Sequence, residues 1–327
     1  MLVDLPRELR GALANQFHDM SDVELGRTTK DLSARYRGDG PTGNPVARSG
    51  EDVAAYAAYR LPATYAATVA ALTALREQRV GWQPRSLLDL GAGLGAGLWA
   101  AATVWSGIER MTAVDAQPRM IAAGRELSRA ASHPAIRSAE WVQSDLRSAR
   151  LAEPYDVVVL AYVLAEVDPV ALPAMIDCSW GLTTGSLVVI EPGTPAGYRR
   201  VQQVRDRLTA SGGYSLAPCP HDPPCQVPED DWCHFSVRLP RSRTHRVAKD
   251  AALSYEDEKF SYVVISRSPV QQTYSRILRH PQIRKGHIYL QLCTPDGVKT
   301  VVVSKSEGKR YSRARKASWG DAFDLGA

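Results

Sequence analysis

The 327-residue chain has no apolar run of eighteen residues, the length at which a membrane-crossing helix becomes the expected reading. Its first residues, MLVDLPRELRG, mix acids with apolar positions and hold no hydrophobic stretch of secretory-signal length. These two absences predict no membrane partner and a cytoplasmic location. Cysteine is scarce. There are five, an odd number, which in a long cytosolic chain argues against a disulfide framework. The rest of the composition is that of an ordinary soluble protein, 44% hydrophobic and 23% charged. A chain of this length holds either two domains or one core with extensions. No feature bears on the oligomeric state, and a monomer is the default expectation.

The charge is unevenly spread. Residues 268–327 hold eleven lysines and arginines against four acids, a net +7, whereas the whole chain carries +5. The remainder is therefore at −2. A basic end on a near-neutral body predicts a polyanionic partner.

The most informative stretch is Leu87 to Leu98, LLDLGAGLGAGL. An apolar run carrying Asp89, then glycine at 91, 93, 95 and 97, then an alanine-rich segment, predicts strand, tight turn and helix. Glycine suits such a turn because it adopts left-handed dihedrals and lets a ligand approach the backbone. The dinucleotide fingerprint puts two residues between its second and third glycines; here the pattern is D-x-G-x-G-x-G. Asp115 closes the next apolar strand, Met111–Asp115, where a ribose diol is held in such folds. Asp145 follows Trp141–Ser144. Together these residues resemble the S-adenosylmethionine site of class I methyltransferases. The resemblance implies that Asp89, Gly91, Gly93 and Gly95 lie against the methionine part, that Asp115 holds the ribose, and that Asp145 faces the adenine. The plainer alternative is a Rossmann-like turn kept for packing.

Around that stretch, strands are predicted near 86–90, 111–115, 139–143, 156–161 and 186–191, with helices near 97–105, 117–131 and 169–180. The alternation predicts a parallel sheet with helices on both faces and ligands at the carboxyl ends of the strands. The segment after the fourth strand, Ala161–Glu166, lacks an Asn or Asp followed by two prolines and an aromatic. It also lacks a cysteine nucleophile and the lysine of a ribose methyltransferase. Glu166 is the one candidate base, and a glutamate on a helix surface is the commoner explanation. No catalytic residue is assigned, and whether the protein is an enzyme stays open.

A second informative stretch is Ala217–Phe235, APCPHDPPCQVPEDDWCHF. Five prolines keep it out of helix and sheet, and three thiols sit in it at C-x5-C-x7-C spacing. A metal can order what the backbone cannot, so Cys219, Cys225 and Cys233 are candidate ligands. The spacing is not that of a zinc finger. Cys293 is the best fourth ligand, with His221 and His234 as alternatives. Four thiolates suit an iron–sulfur cluster or zinc. Cys178, in an apolar helical stretch, reads as a small core residue.

The phrases IEPGTPAGYRRVQQVRDRL, APCPHDPPC, DWCHFSVRLPRSRTHR, YEDEKFSYVVISR and LCTPDGVKTVVVSKS occur together and in order. In them the chain resembles the methyltransferase-like protein family of the small ribosomal subunit, found in bacteria and mitochondria, from about residue 60 to the C-terminus. The resemblance implies a four-iron–four-sulfur cluster on Cys219, Cys225, Cys233 and Cys293, and binding to small-subunit ribosomal RNA during assembly. The alternatives are an active RNA methyltransferase with zinc in place of a cluster, and a methyltransferase for a protein or small molecule.

The expected architecture is thus α/β, a class I Rossmann-like methyltransferase fold. It divides into a helical N-terminal region (1–75), the methyltransferase-like domain (76–268) with its cysteine loop (217–235), and a basic β extension (269–327). In the first, Leu5, Leu9 and Leu13 share a helix face, 41–45 is a loop, and Pro62 kinks or restarts a helix. Tyr56, Tyr59 and Tyr65 read as packing between helices, and Arg37, Arg48 and Arg60 are candidate phosphate contacts. Trp232–Leu239 and Lys259–Ser266 are the last two strands of the sheet. Arg238, Arg241, Arg243, Arg246 and Lys249 form a basic connection, and Tyr255–Lys259 is an acidic turn facing it. Ile288–Leu292 and Val298–Ser304 form a hairpin through Pro295-Asp296-Gly297.

Overall fold

Runs of aliphatic residues buried on both faces set the architecture of the computed structural model, which describes residues 2–17, 21–37, 47–146, 151, 153–241, 246, 253–270 and 274–324. Strands β1 (Ser86–Leu90) and β4 (Tyr155–Ala161) form the centre of a sheet, with β2 (Arg110–Asp115), β3 (Glu140–Gln143) and β5 (Thr183–Pro192) parallel to them. Three later strands, β6 (Tyr214–Ala217), β7 (Phe235–Pro240) and β8 (Tyr255–Ser266), complete it. The order is β3-β2-β1-β4-β5-β8-β6; β8 is antiparallel to β5 and also pairs with β7.

Helices cover both faces. α1 (Arg7–Gln16) and α2 (Asp22–Arg37) precede α3 (Gly50–Gln78), which packs against α4 (Ala96–Val104) and across β6 to β8. Then follow α5 (Pro118–Arg129), α6 (Pro134–Arg137), α7 (Leu172–Gly181) and α8 (Pro195–Ala210). Ser49 and Asp52 cap α3 reciprocally: the Asp52 N–H donates to Ser49 Oγ at 3.1 Å and the Ser49 N–H to Asp52 Oδ2 at 3.2 Å. The expected break at Pro62 is absent. α3 runs through it, because Leu61, Tyr65, Leu72 and Leu75 are all buried, and that packing outweighs the lost donor.

A second sheet is built from β9 (Ser275–Ile277), β10 (Gln282–Arg284), β11 (His287–Thr294), β12 (Gly297–Ser304) and β13 (Ala322–Phe323). β11 and β12 are the expected hairpin, in register from His287–Ser304 to Thr294–Gly297. Helix α9 (Lys309–Lys316) lays Ala314 onto a core of Ile277, Ile288, Leu290, Leu292, Val303 and Phe323.

Three expectations differ from the structure. Tyr255–Lys259 is not a turn but the first half of β8. Glu256, Asp257 and Glu258 stand opposite Leu239, Arg238 and Val237 of β7, and Arg238 Nε bonds Asp257 at 2.7 Å. β7 begins at Phe235, not Trp232. β6, four residues at the sheet edge, was not foreseen. Of the basic connection, Arg243 and Lys249 lie outside the described residues, as do the loop at 41–45 and the side chain of Arg37.

Candidate functional site

The glycine turn joins β1 to α4. Gly91, Gly93 and Gly95 all hold left-handed dihedrals, with φ of 74°, 55° and 82°. Two buried carboxylates splint the turn. Asp89 accepts the Gly97 N–H at 3.1 Å, and a Cβ on Gly97 would stand 2.5 Å from its Oδ2. Asp115 accepts the Gly93 N–H on Oδ2 and the Gln117 N–H on Oδ1, both at 2.8 Å. Burial pushes Asp89 up to about 7, and the charge of Asp115 adds to this against the Gly97 hydrogen bond. Burial likewise raises Asp115, opposed by its backbone donors. Asp145 sits half-buried two residues past β3, where the Ser144 N–H donates to the Asp115 carbonyl at 3.0 Å. The sheet thus brings Asp89, Asp115 and Asp145 to one edge.

Tyr56 of α3 also reaches this edge. Its hydroxyl packs on the turn, 3.1 Å from where a Gly93 Cβ would be, and burial pushes it up to about 12. Glu166 ends a single 3-10 turn, Leu164–Glu166. Crowding by the surrounding protein, then the charges of Asp115 and Glu191, push it up to about 7, although the residue is exposed to solvent. Tyr65 is a packing residue, bonded to Thr103 Oγ1 at 2.9 Å.

The segment after β4 is anchored rather than open. Tyr162 takes φ of 61°, rare for an aromatic residue. Its hydroxyl donates to Glu258 Oε1 at 2.8 Å. Arg60 lies 4.8 Å over its ring and 3.9 Å from the same carboxylate, so Arg60 is engaged within the protein. Glu191, fully buried, accepts the Leu164 N–H at 3.0 Å and Arg200 Nε at 2.6 Å. Sequence reasoning missed Tyr56, Tyr162, Glu191 and Glu258 as parts of this region. An acid closing the apolar run Leu187–Glu191 was a usable signal for Glu191; nothing local foretold the pairing of Tyr162 with Glu258.

Across the sheet edge, all four candidate cysteines line one cavity. Tyr198, Val201, Gln202 and Arg205 of α8 and Tyr262 and Val263 of β8 form its other walls. Cys293 is carried there by β11, and its thiol lies 3.4 Å from His221 Nε2. Tyr198 Oη lies 3.2 Å from Cys225 Sγ. Burial and the neighbouring thiols push Cys233 and Cys293 well above the ordinary thiol range. Among the described residues no trio of His, Cys, Asp or Glu stands close enough to hold a single metal ion. Cys178 is exposed on α7 instead of in the core expected for it.

The sheet order, with its antiparallel strand β8 between β5 and β6, and the acid-splinted glycine turn define a class I, Rossmann-like methyltransferase fold. Within that class the chain belongs to the family described as Mitochondrial small ribosomal subunit Rsm22, whose profile matches residues 50–324. It is 30% identical over 289 residues to the human ribosome assembly protein METTL17, mitochondrial, covering 83% of this chain and 62% of that one. It is 26% identical over 326 residues to the Rsm22-cox11 tandem proteins 1 and 2, mitochondrial, of Schizosaccharomyces pombe, covering 84% of this chain and 43% of each. The chain therefore spans less than two thirds of the length of these relatives. Among solved structures it is similar to the N-methyltransferase NodS of Bradyrhizobium japonicum WM9 bound to S-adenosyl-L-homocysteine, with 17% identity, a TM-score of 0.40, and coverage of 74% of this chain and 99% of that one. An O-methyltransferase family protein of Burkholderia thailandensis is 18% identical, with a TM-score of 0.46 and coverage of 76% and 71%.

These findings correct the cytoplasmic location expected from the sequence, since the family and the three relatives are described as mitochondrial. The expectation rested on a missing secretory signal, and that absence does not distinguish cytosol from organelle.

Two predictions follow from the buried acids. Asp89 has a folded-state value near 7 against an ordinary 3.8, so the folded protein binds more protons than the unfolded one. Its contribution to stability is full below the ordinary value and is lost as pH rises through about 7. Urea unfolding from pH 4 to 8 should show that decline, and Asp89→Asn should flatten it, leaving the variant more stable at pH 8 by on the order of 2–4 kcal/mol. Arg200→Met strands the carboxylate of Glu191 and should cost roughly 3–5 kcal/mol in the same assay at pH 8. The double variant Arg200→Met, Glu191→Gln should recover most of that loss.

Proposed function

We propose that this chain is an assembly factor of the small ribosomal subunit that binds its RNA, carries S-adenosylmethionine on the glycine turn, and holds an iron–sulfur cluster on Cys219, Cys225, Cys233 and Cys293. The observation that carries the reading is the cavity where a thiol of the second sheet meets three thiols of the proline-rich loop. Four thiols around one cavity are a donor set for an iron–sulfur cluster, and their spacing along the chain is unlike that of a zinc finger. Bound there, a cluster supplies a covalent tie between the loop and β11.

The donor set of the glycine turn fits the cofactor. Each oxygen of Asp115 accepts one backbone N–H and keeps lone pairs for a ribose diol. The glycines at 91, 93 and 95 carry no side chain of their own, and Val163, Tyr56 and Trp141 pack against them. Asp145, at the same edge, is the candidate for the adenine. The acceptor side argues against methyl transfer: Tyr162, Glu258 and Arg60 bond one another where a transferase would hold its substrate. The cofactor then serves as a structural or sensing part.

The RNA surface is assigned to the second sheet and α9. Lys309, Arg315 and Lys316 lie on α9 and make no ion pair among the described residues, and Arg284, Lys285 and Lys305 surround one end of the hairpin. Tyr289 and Val302 face each other across β11 and β12 on its exposed side, an apolar platform beside those cations.

Three measurements test this. Protein purified without air should carry iron and sulfide in equal amounts, and Cys293→Ser should lose both together with RNA affinity. Zinc without sulfide would overturn the cluster. Charge reversal at Lys309, Arg315 and Lys316 should weaken binding to small-subunit ribosomal RNA at least tenfold at low salt and flatten the salt dependence by roughly one log unit per lost phosphate contact. An unchanged salt slope would remove α9 from the interface. Labelled S-adenosylmethionine offered with immature small subunits should bind without labelling the RNA. Label that depends on Asp89 would make the protein an RNA methyltransferase instead.

A further inference from the structure

Two guanidinium groups are buried beside the thiol cavity, and among the described residues neither pairs with a buried carboxylate. Arg205 of α8 is 1% exposed and Arg276 of β9 is 2% exposed. Arg205 lines the cavity, and its salt-bridge partner, Asp206, is solvent-facing. Its terminal nitrogen donates to the carbonyls of His221 and Asp222 at 3.0 Å and of Pro223 at 2.5 Å. Its Nε has no oxygen or nitrogen partner. Arg276 donates to the carbonyls of Pro218 at 3.2 Å and Gly320 at 2.8 Å, while its second terminal nitrogen has no partner and it forms no ion pair among the described residues. A buried charge without a counter-charge is strongly destabilising. The thiols of Cys219 and Cys293 feel these two charges, and beside Arg276 the phenols of Tyr262 and Tyr274 are further acidic groups.

We propose that Arg205 and Arg276 are the counter-charges of the group held by the four cysteines, retaining it and setting its reduction potential. The inference rests on the cluster reading above. Four thiolates around a four-iron core of formal charge +2 carry a net charge of about −2, which two guanidinium ions balance inside a low-dielectric cavity. Adding one electron raises the negative charge further, so removing either arginine disfavours the reduced form and lowers the potential. Each N–H without an oxygen or nitrogen partner is also a donor available to cluster sulfur.

The test uses the full chain, purified anaerobically, with Arg205→Gln, Arg276→Gln and the corresponding lysine variants. Folding is followed by circular dichroism, iron and sulfide are counted, and the cluster is titrated with dithionite while its spectrum is recorded. Each glutamine variant is expected to shift the oxidised-to-reduced equilibrium at least tenfold toward the oxidised form, about 59 mV for one electron, and to release iron to a chelator at least tenfold faster. The lysine variants, which keep the charge but give up the fork to the loop carbonyls, are expected within threefold of the unaltered protein in potential. Glutamine variants with unchanged potential and unchanged iron release overturn the proposal. So do lysine variants that fall as far as the glutamine ones, because the effect then belongs to loop capping and not to charge. Unaltered protein without iron and sulfide instead overturns the cluster reading itself.

Discussion

A loop with five prolines in its seventeen residues, 218–234, has few donors and no ladder to join, so its shape depends on what grips its carbonyls. Arg205 does this, bonding three successive carbonyls, His221, Asp222 and Pro223, from the buried face of α8. Arg276 holds the carbonyl of Pro218 from the other side. Between them the two guanidinium groups fix where Cys219 and Cys225 stand. A different loop shape would cost Arg205 three acceptors and Arg276 one, leaving Asp206 and the Gly320 carbonyl as partners that do not belong to the loop. The part of the loop that carries Cys219 and Cys225 is therefore gripped by two arginines, one from helix α8 and one from strand β9.

The same logic separates the two edges of the methyltransferase-like sheet. At the glycine turn the chain is held by left-handed backbone and two buried carboxylates, with Val163, Tyr56 and Trp141 packed against its glycines. On the acceptor side the chain is held shut. Tyr162 in a strained conformation, Glu258 and Arg60 tie the end of β4 to β8 and α3. Strain at such a position persists only where its surroundings over-determine it. The two ends of this sheet edge therefore differ, one a glycine turn splinted by acids and the other a strand end tied down by an aromatic ring, an acid and a cation.

Much of this was legible in the sequence, and the limits are physical. Alternating strand and helix, the glycine turn with its acids, and the hairpin at Pro295-Asp296-Gly297 follow from local pattern, and the structure has them. Local pattern misled where distant partners decide. Tyr255–Lys259 looks like a turn because it is acidic, yet Arg238 across the ladder makes it a strand. Pro62 looks like a break, yet the packed face of α3 carries the helix through it. Tyr162 and Glu258 are 96 positions apart, and no spacing rule relates them. The four thiols were legible as candidates. Their meeting in one cavity depends on the docking of the second sheet, which composition does not encode.

That docking has a thermodynamic consequence. The second sheet has a core of only seven buried residues, small for an independent unit. It leans on the body through Tyr274 to the Leu216 carbonyl at 2.6 Å, Arg276 to Pro218, Arg279 to Asp231, and Trp319 stacked edge-on against His234. All of these contacts lie around the thiol cavity. A group bound there adds its binding free energy to the folding of whatever its ligands join. Since Cys293 belongs to the second sheet, a group held by all four thiols would stabilise that sheet and α9 together. Under the proposed function, the cationic surface on α9 and the hairpin would be held in place only once the cavity is loaded.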